Sequence, residues 1–290
     1  MTAQRRTLIA HRGASLIAPE NTLHAFALAL ADGADGLECD VRLSSDDEPI
    51  VFHDVDLERL TGLPGPLAAR PWTELRQLAI RGPGVGEGAR HTGHTIPHLR
   101  DLVDMVALHH GQANRHATHS RRLLINVELK PLKNHAPLVA ACRPYFEALA
   151  RSPNPVDPVD PVDPTGPIHP IDPTGPIHPI DLVISSFDPR VLAAFALNPL
   201  SAPHRLALLF EDPNALGALR FLPPATYDLH PEASLLTAAT HAAWSSPGRR
   251  FRAWTVDDPI EARRLLTLDP TIALITNRPG PLAAELEEAS

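Results

Sequence analysis

Short apolar runs of strand character recur along these 290 residues, most of them separated by stretches with helical spacing. The strand-like runs cover 7–11, 36–41, 50–54, 123–130, 182–187, 205–210, 227–230, 251–256 and 272–276. The helix-like runs cover 22–32, 99–109, 189–197, 258–268 and 280–288. Alternation of this kind favours a parallel sheet, because parallel neighbours need a crossover that a helix supplies. Nine runs are one more than a (β/α)8 barrel uses, and the short run 227–230 is read as the extra. The expected fold class is therefore α/β: a TIM (β/α)8 barrel, with residues 1–290 as a single domain.

Two stretches break the rhythm. Residues 55–98 are too long for a simple strand-to-helix connection and read as a small lobe inserted after the third strand. Residues 153–181 contain Val-Asp-Pro three times, then Pro-Thr-Gly-Pro-Ile-His-Pro-Ile-Asp twice, and hold ten of the 32 prolines. Proline removes a backbone donor and fixes φ, so neither a helix nor a central strand is expected there. The segment reads as a Pro-rich low-complexity loop, either a surface insertion or a ligand for an unknown partner.

The formal net charge is −8, and five of those negatives fall in the proline-rich segment, which has no Lys or Arg. Such a balance argues against a nucleic-acid binder. No apolar run approaches membrane-spanning length, so no stable membrane insertion is expected. Cys39 and Cys142 are the only cysteines, too few for a disulfide framework. A reduced, cytoplasmic protein is the expectation.

Side chains alternate along a strand. In the run 36–41, Leu37, Cys39 and Val41 share one face, and Gly36, Glu38 and Asp40 share the other. The two carboxylates lie about 6–7 Å apart along the strand. In 123–130 the polar face ends in Asn126, Glu128 and Lys130. An isolated Glu-x-Asp also suits the solvent face of an antiparallel strand. Here, however, several strands finish in polar groups: His11-Arg12, Glu38 with Asp40, His53-Asp54, and Glu128 with Lys130. In a barrel those ends converge on one mouth. Buried carboxylates are costly unless paired or metal-bound. Glu38, Asp40 and Glu128 facing one point would make a hard-oxygen site for a divalent cation, Mg²⁺ or Ca²⁺. Arg12 and Lys130 would add positive charge for an anionic substrate group. His11 and His53 titrate near neutrality and can serve as general base and general acid. His91, His94, His98, His109, His110, His116 and His119 are read as solvated surface.

The stretches AHRG (10–13), PENT (19–22), GLECDVRLSSDDEPIVFHD (36–54), LERLTG (57–62), NVELK (126–130), ISSFD (184–188), AWTVDD (253–258) and ITNRPG (275–280) resemble the glycerophosphodiester phosphodiesterase family, within the PI-PLC-like phosphodiesterase superfamily. The resemblance covers nearly the whole chain except 153–181. It implies a TIM barrel with a small lobe after the third strand, and a metal-dependent hydrolase cleaving a small-molecule phosphodiester into an alcohol and glycerol 3-phosphate. By position it implies that Glu38, Asp40 and Glu128 hold the cation and that His11 and His53 form the acid–base pair. It further implies that Arg12 and Lys130 bind the phosphate and that Trp254 lines the pocket near the glycerol. Pro19 to Thr22 are read as shaping and capping the next helix. The chain departs from the family after Thr95-Ile96-Pro97, where His98-Leu99-Arg100 replaces a Thr-Leu-Glu-like run. Two other readings fit parts of the sequence. One is a phospholipase D-like hydrolase of lysophospholipids or sphingolipids, which would want an exposed apolar or basic loop. The other is a non-catalytic binding module that displays the proline repeat.

Overall fold

The computed structural model describes residues 6–82, 91–116, 122–151 and 180–288. In chain order the strands are β1 (Leu8–His11), β2 (Gly36–Leu43), β3 (Pro49–Val51), β4 (Ala79–Arg81), β5 (His91–Thr95), β6 (Leu124–Leu129), β7 (Asp181–Ser186), β8 (His204–Phe210), β9 (Tyr227–Pro231), β10 (Arg252–Ala253) and β11 (Ala273–Thr276). The α-helices are α1 (Leu23–Ala31), α2 (Glu58–Thr61), α3 (Trp72–Leu75), α4 (Leu99–His116), α5 (Ala136–Arg151), α6 (Pro189–Leu197), α7 (Ala238–Trp244), α8 (Pro259–Leu268) and α9 (Pro279–Glu287). The main sheet runs β10-β11-β1-β2-β6-β7-β8-β9, all parallel. Two single parallel bridges, Leu229 to Phe251 and Glu232 to Trp254, bring its edges together into a nearly closed barrel of eight staves.

The ninth strand is not the one the sequence suggested. Tyr227–Pro231 is a buried stave paired to β8 along its full length. The extra strand is Pro49–Val51, which folds back antiparallel onto the far end of β2. Its three residues extend the β2 edge past the mouth and start the inserted lobe. That lobe buries a small core of its own around Phe52, Leu57, Leu67, Leu75 and Ile96. It also carries the two-stranded ladder of β4 and β5. Residues 83–90 of the lobe, and all of the proline-rich segment except Ile180 and Asp181, lie outside the described residues.

Period-two alternation accounts for the layers. Leu37, Cys39 and Val41 of β2, and Ile125, Val127 and Leu129 of β6, pack outward against Phe26 of α1, Val106 of α4 and Phe146 of α5. A fully buried side chain of this kind contributes about 1.5–3 kcal/mol. Inside the barrel a smaller apolar plug, including Ile9, Leu124, Val183 and Ile275, underlies the mouth. Towards the amino ends of the staves lies a buried charge cluster. Asp228 accepts from Arg205 and from Arg252 (2.8 Å), and Arg252 also meets His230 Nε2 at 3.2 Å.

Helix α1 starts where the capping signal placed it: Thr22 Oγ1 accepts from Ala25 N at 3.1 Å. Helices α6, α8 and α9 match the predicted spans within a residue, and α4 runs past 109 to His116. Helix α5 was not expected, because Pro144 interrupts its pattern, yet Leu138, Cys142, Phe146 and Leu149 still form a buried stripe. Helix α7 was missed because it has no buried residue to signal it. His98 corrects the surface reading. It is buried, its Nε2 meets Glu48 Oε2 at 2.9 Å, and its Nδ1 accepts from Arg100 N at 2.9 Å. It plugs the junction of lobe and α4 between the rings of Trp72 and Tyr145. The side chains of His91, His110, His116 and His119 lie outside the described set. Cys39 and Cys142 are free and buried. Among the described residues no helix is long and apolar enough to cross a membrane.

Candidate active site

The carboxyl ends of β1, β2, β6 and β10 surround a cavity of about 240 Å³. Its lining includes His11, Arg12, Glu38, His53, Glu128, Lys130 and Trp254. Of the residues singled out from the sequence, only Asp40 is absent from that wall. It lies just behind, fully buried, with Arg12 and Lys130 upon it.

The chain builds this arrangement from local geometry. β1 ends at His11, and Arg12 and Gly13 both take positive φ, 57° and 83°. That turn sends Arg12 N back to Glu38 O and Glu38 Oε2, each at 3.0 Å. Gly13 has no room for a side chain: a Cβ there would meet the Ala25 carbonyl carbon at 2.5 Å. Between β2 and β6 the register pairs Glu38 with Asn126 and Asp40 with Glu128. Four inward polar groups therefore stand in two adjacent rungs. His53 arrives from outside the barrel. Phe52 N donates to Asp40 O at 2.9 Å and Arg42 Nε to His53 O at 2.7 Å, which fixes the segment that carries the imidazole.

Oxygens of Glu38, Asp40 and Glu128 all lie within 4.8 Å of one another, and all three residues are buried. Lys130 Nζ sits 2.7 Å from Asp40 Oδ1 and 2.6 Å from Glu128 Oε1. Arg12 Nε is 3.1 Å from Asp40 Oδ2. Burial works against the Asp40 carboxylate, but Lys130 and then Arg12 hold its pKa far below the usual range. Burial, and after it the charge of Asp40, push Glu38 well up and raise Glu128 to about 7. With all three carboxylates ionised, the two fixed cations would leave one negative charge unopposed in a buried setting, a charge that a bound cation would balance. Such hard, clustered oxygens fit a divalent cation of the Mg²⁺ or Ca²⁺ kind.

Each histidine is held by its Nδ1. His53 Nδ1 lies 2.7 Å from Asp54 Oδ1. Asp54 is itself kept ionised, near 2, by hydrogen bonds from Arg59 and His53 that outweigh its partial burial. An ionised carboxylate only accepts, so His53 donates from Nδ1 and keeps Nε2 bare. His11 Nδ1 lies 2.7 Å from Asn277 Oδ1. The amide is oriented by Asp257, whose Oδ2 accepts from Asn277 Nδ2 at 2.6 Å. His11 thus also donates from Nδ1 and keeps Nε2 bare. Burial, then Arg12, lower His11 to about 4, and burial lowers His53 as well. Trp254 lines the wall, donating its indole N–H to His230 O at 2.7 Å, with its ring edge-on to Phe187.

Sequence reasoning missed Asp54 as a partner of His53, the Asp257–Asn277 pair behind His11, and Glu211 in the cavity wall. Asn277 and Asp257 stand in the stretches ITNRPG and AWTVDD, so the signal was present. Only the pairing of β10 with β11 joins them. Asn126, though read on the polar face, was assigned no role; both its amide atoms are buried without a hydrogen-bond partner.

A model of the glycerophosphoryl diester phosphodiesterase family matches residues 11–142. A glycerophosphodiester phosphodiesterase of Caldanaerobacter subterraneus is 32% identical over 123 residues, 42% of this chain and 44% of that protein. A probable glycerophosphodiester phosphodiesterase 1 of Mycobacterium tuberculosis is 46% identical over 71 residues, 24% of this chain and 26% of that protein. The aligned stretches thus span less than half the length of these curated relatives. The solved structure of an Oleispira antarctica phosphodiesterase, in complex with the product sn-glycerol-3-phosphate, is 25% identical and superposes with a TM-score of 0.70. That likeness covers 97% of this chain and 96% of the other. By the family match over residues 11–142, the curated relatives and the shared barrel, the chain is similar to the glycerophosphoryl diester phosphodiesterase family.

Proposed function

We propose that this protein hydrolyses glycerophosphodiesters to an alcohol and glycerol 3-phosphate, with a divalent cation, Mg²⁺ or Ca²⁺, held by Glu38, Asp40 and Glu128. One observation carries the reading: three buried carboxylates share a point within 4.8 Å, and two imidazoles with bare Nε2 atoms line the same cavity. The product bound in the Oleispira antarctica relative supports the same product class here. The cavity's small volume suits a glycerol phosphate better than a drug-sized ligand.

When bound, the cation would neutralise charge on the phosphate and acidify the attacking oxygen. Arg12 and Lys130 supply the cationic side chains that orient the anionic diester. His11, backed by a neutral amide and lowered to about 4, stays unprotonated and takes the proton of the attacking water, or of a neighbouring glycerol hydroxyl whose cyclic phosphate water then opens. His53 must first take a solvent proton on its bare Nε2; the ionised Asp54 at Nδ1 supports the positive ring, which then passes that proton to the departing alcohol. Trp254 walls the glycerol side.

The test is direct. Incubate the protein with glycerophosphocholine and glycerophosphoethanolamine, with Mg²⁺ or Ca²⁺ or with chelator, and quantify released alcohol and glycerol 3-phosphate. Turnover should vanish with chelator and with Asp40→Asn or Glu128→Gln. His11→Ala and His53→Ala should each lose about 10²–10⁴ in kcat. Chelator-insensitive turnover, or none with any cation, refutes the proposal. Deleting 153–178 should leave turnover intact; a scaffold that displays the repeat would instead lose its partner. A cytoplasmic location is part of the proposal. The free, buried Cys39 and Cys142 support it, and cell fractionation tests it.

A second reading has a specific observation in its favour. Leu16 and Ile17, in the loop after β1, and Val55, beside His53, are 54–60% exposed on the mouth side. Exposed apolar groups there suit an acyl-bearing diester such as a lysophospholipid. Comparing kcat/KM for lysophosphatidylcholine and glycerophosphocholine separates the two.

A further inference from the structure

Arg59 stands on α2, the first helix of the inserted lobe, and lines none of the cavity. Its guanidinium nevertheless grips two carboxylates that arrive from different loops. Nε and Nη2 reach Asp54 Oδ2 and Oδ1 at 2.6 and 2.9 Å. Nη1 and Nη2 reach Glu20 Oε2 and Oε1 at 2.8 and 2.7 Å. Each of those carboxylates then holds a cavity side chain. Asp54 Oδ1 accepts from His53 Nδ1 at 2.7 Å. Glu20 Oε1 accepts from Arg12 Nη1 at 2.9 Å, and Arg12 Nε continues to Asp40. Oxygens of Glu20 and Asp54 approach within 4.8 Å of each other and of a His53 nitrogen. Two carboxylates so close would repel without a cation between them.

Resting on the proposed phosphodiester hydrolysis, we infer that Arg59 is a positioning residue that clamps Asp54 and Glu20 together, and through them sets the tautomer of His53 and the direction of Arg12. Half of the Arg59 side chain is exposed, yet the clamp is a planar double fork rather than a loose surface pair. A lysine ammonium has the charge without the fork, so it cannot span both carboxylates in the same geometry. The clamp also makes the lobe part of the reaction apparatus: α2 holds a histidine beside β3 and an arginine after β1 in mutual register. Glu20, the Glu of PENT, thereby becomes the orienter of Arg12.

The experiment has a catalytic arm and a spectroscopic arm. Asp54→Asn should mainly lower kcat and Glu20→Gln mainly raise KM, each by about 10–100-fold, the scale of an ångström-sized misplacement. Arg59→Ala should do both, and adding either of the other changes to it should cost little more. Guanidinium ion should restore part of the Arg59→Ala loss, and Arg59→Lys should resemble Arg59→Ala rather than the parent. Arg70→Gln, which breaks only the exposed Arg70–Glu74 pair, should behave as the parent. In the spectroscopic arm, ¹⁵N shifts of His53 should show a protonated Nδ1 and bare Nε2 in the parent, and a tautomer mixture in Arg59→Ala. That arm needs no substrate: a parent protein that turns over no diester defeats the functional proposal, while the His53 shifts still decide this one. An unchanged His53 tautomer in Arg59→Ala overturns the inference. So do parent-like kinetics in Arg59→Lys, or an equal loss in Arg70→Gln.

Discussion

Two imidazoles in one cavity are given different partners. Behind His11 stands an amide whose orientation is borrowed from Asp257; behind His53 stands a carboxylate. Asp257→Asn should therefore be felt at His11 without touching it. The amide of Asn277 loses the acceptor that fixes its direction and can turn its NH₂ towards the ring, which moves the imidazole proton to Nε2. The expected outcome is a fall in kcat of about 10–100-fold with little change in KM, read from steady-state kinetics. Residues at this scale divide into those the sequence exposes and those it hides. Glu38, Asp40 and Glu128 are visible because a period of two places them on one face of two strands. Arg12 and Lys130 are visible because they adjoin those strand ends. Asp257 pairs with Asn277 across 20 positions, Glu20 with Arg59 across 39, and Asn277 with His11 across 266, and no local spacing reveals such pairs.

At the level of elements, the pairing of β2 with β6 matters most, since its two adjacent inward rungs bring the three carboxylates together. The close approach of these strands is set by Gly36, where a Cβ would lie 2.6 Å from Leu124 O and 2.9 Å from Leu124 Cβ. Gly36→Ala should cost about 1–3 kcal/mol in urea denaturation, because backbone rather than a flexible side-chain tip must move. The alternation of strands and helices was legible, and so was the lobe, from its length alone. The identity of the surplus strand was not. Residues 50–54 read as a stave because they end in His53-Asp54, whereas Pro49–Val51 only folds back on β2 and presents that histidine from outside. Residues 227–230, with Asp228 and His230 among only four, read as too short for a stave, but β9 needs only five because it is buried along its whole length.

Taken as a whole, the barrel carries charge at both ends. The cluster away from the mouth is largely buried: Asp228 faces Arg205 and Arg252, with His230 beside them, and Arg252 Nε and His230 Nδ1 have no hydrogen-bond partner. Removing its single anion with Asp228→Ala would leave Arg252 buried and unopposed, at a cost of about 3–5 kcal/mol. His230 is held well below its ordinary pKa, by burial and then by Arg252. In the unfolded chain it takes up a proton below about pH 6.5, and in the folded chain it does not. The unfolded state then binds more protons, so stability should fall as pH drops below that point, by about 1.4 kcal/mol per pH unit for this group. Asp228, whose pKa is lowered by Arg205 and Arg252 against its burial, adds stability above about pH 4 that is lost on further acidification. Equilibrium unfolding between pH 7 and 4 checks the sign, and His230→Gln should flatten the upper part of the slope. None of this cluster was anticipated, because a barrel interior is assembled from residues whose neighbours in space are staves apart.

The eight staves do not join equally well. β2 and β6 are laced through six paired residues, while β9 and β10 touch through two isolated bridges. The backbone pairing is therefore thinnest around β10, which also meets β11 through only two paired residues, and side-chain bonds from Arg252 to Asp228 and from Trp254 to His230 O help to close it. The oxygens of the proposed cation site are rooted in the six-residue pairing of β2 with β6, so a loosened flank would leave them in place.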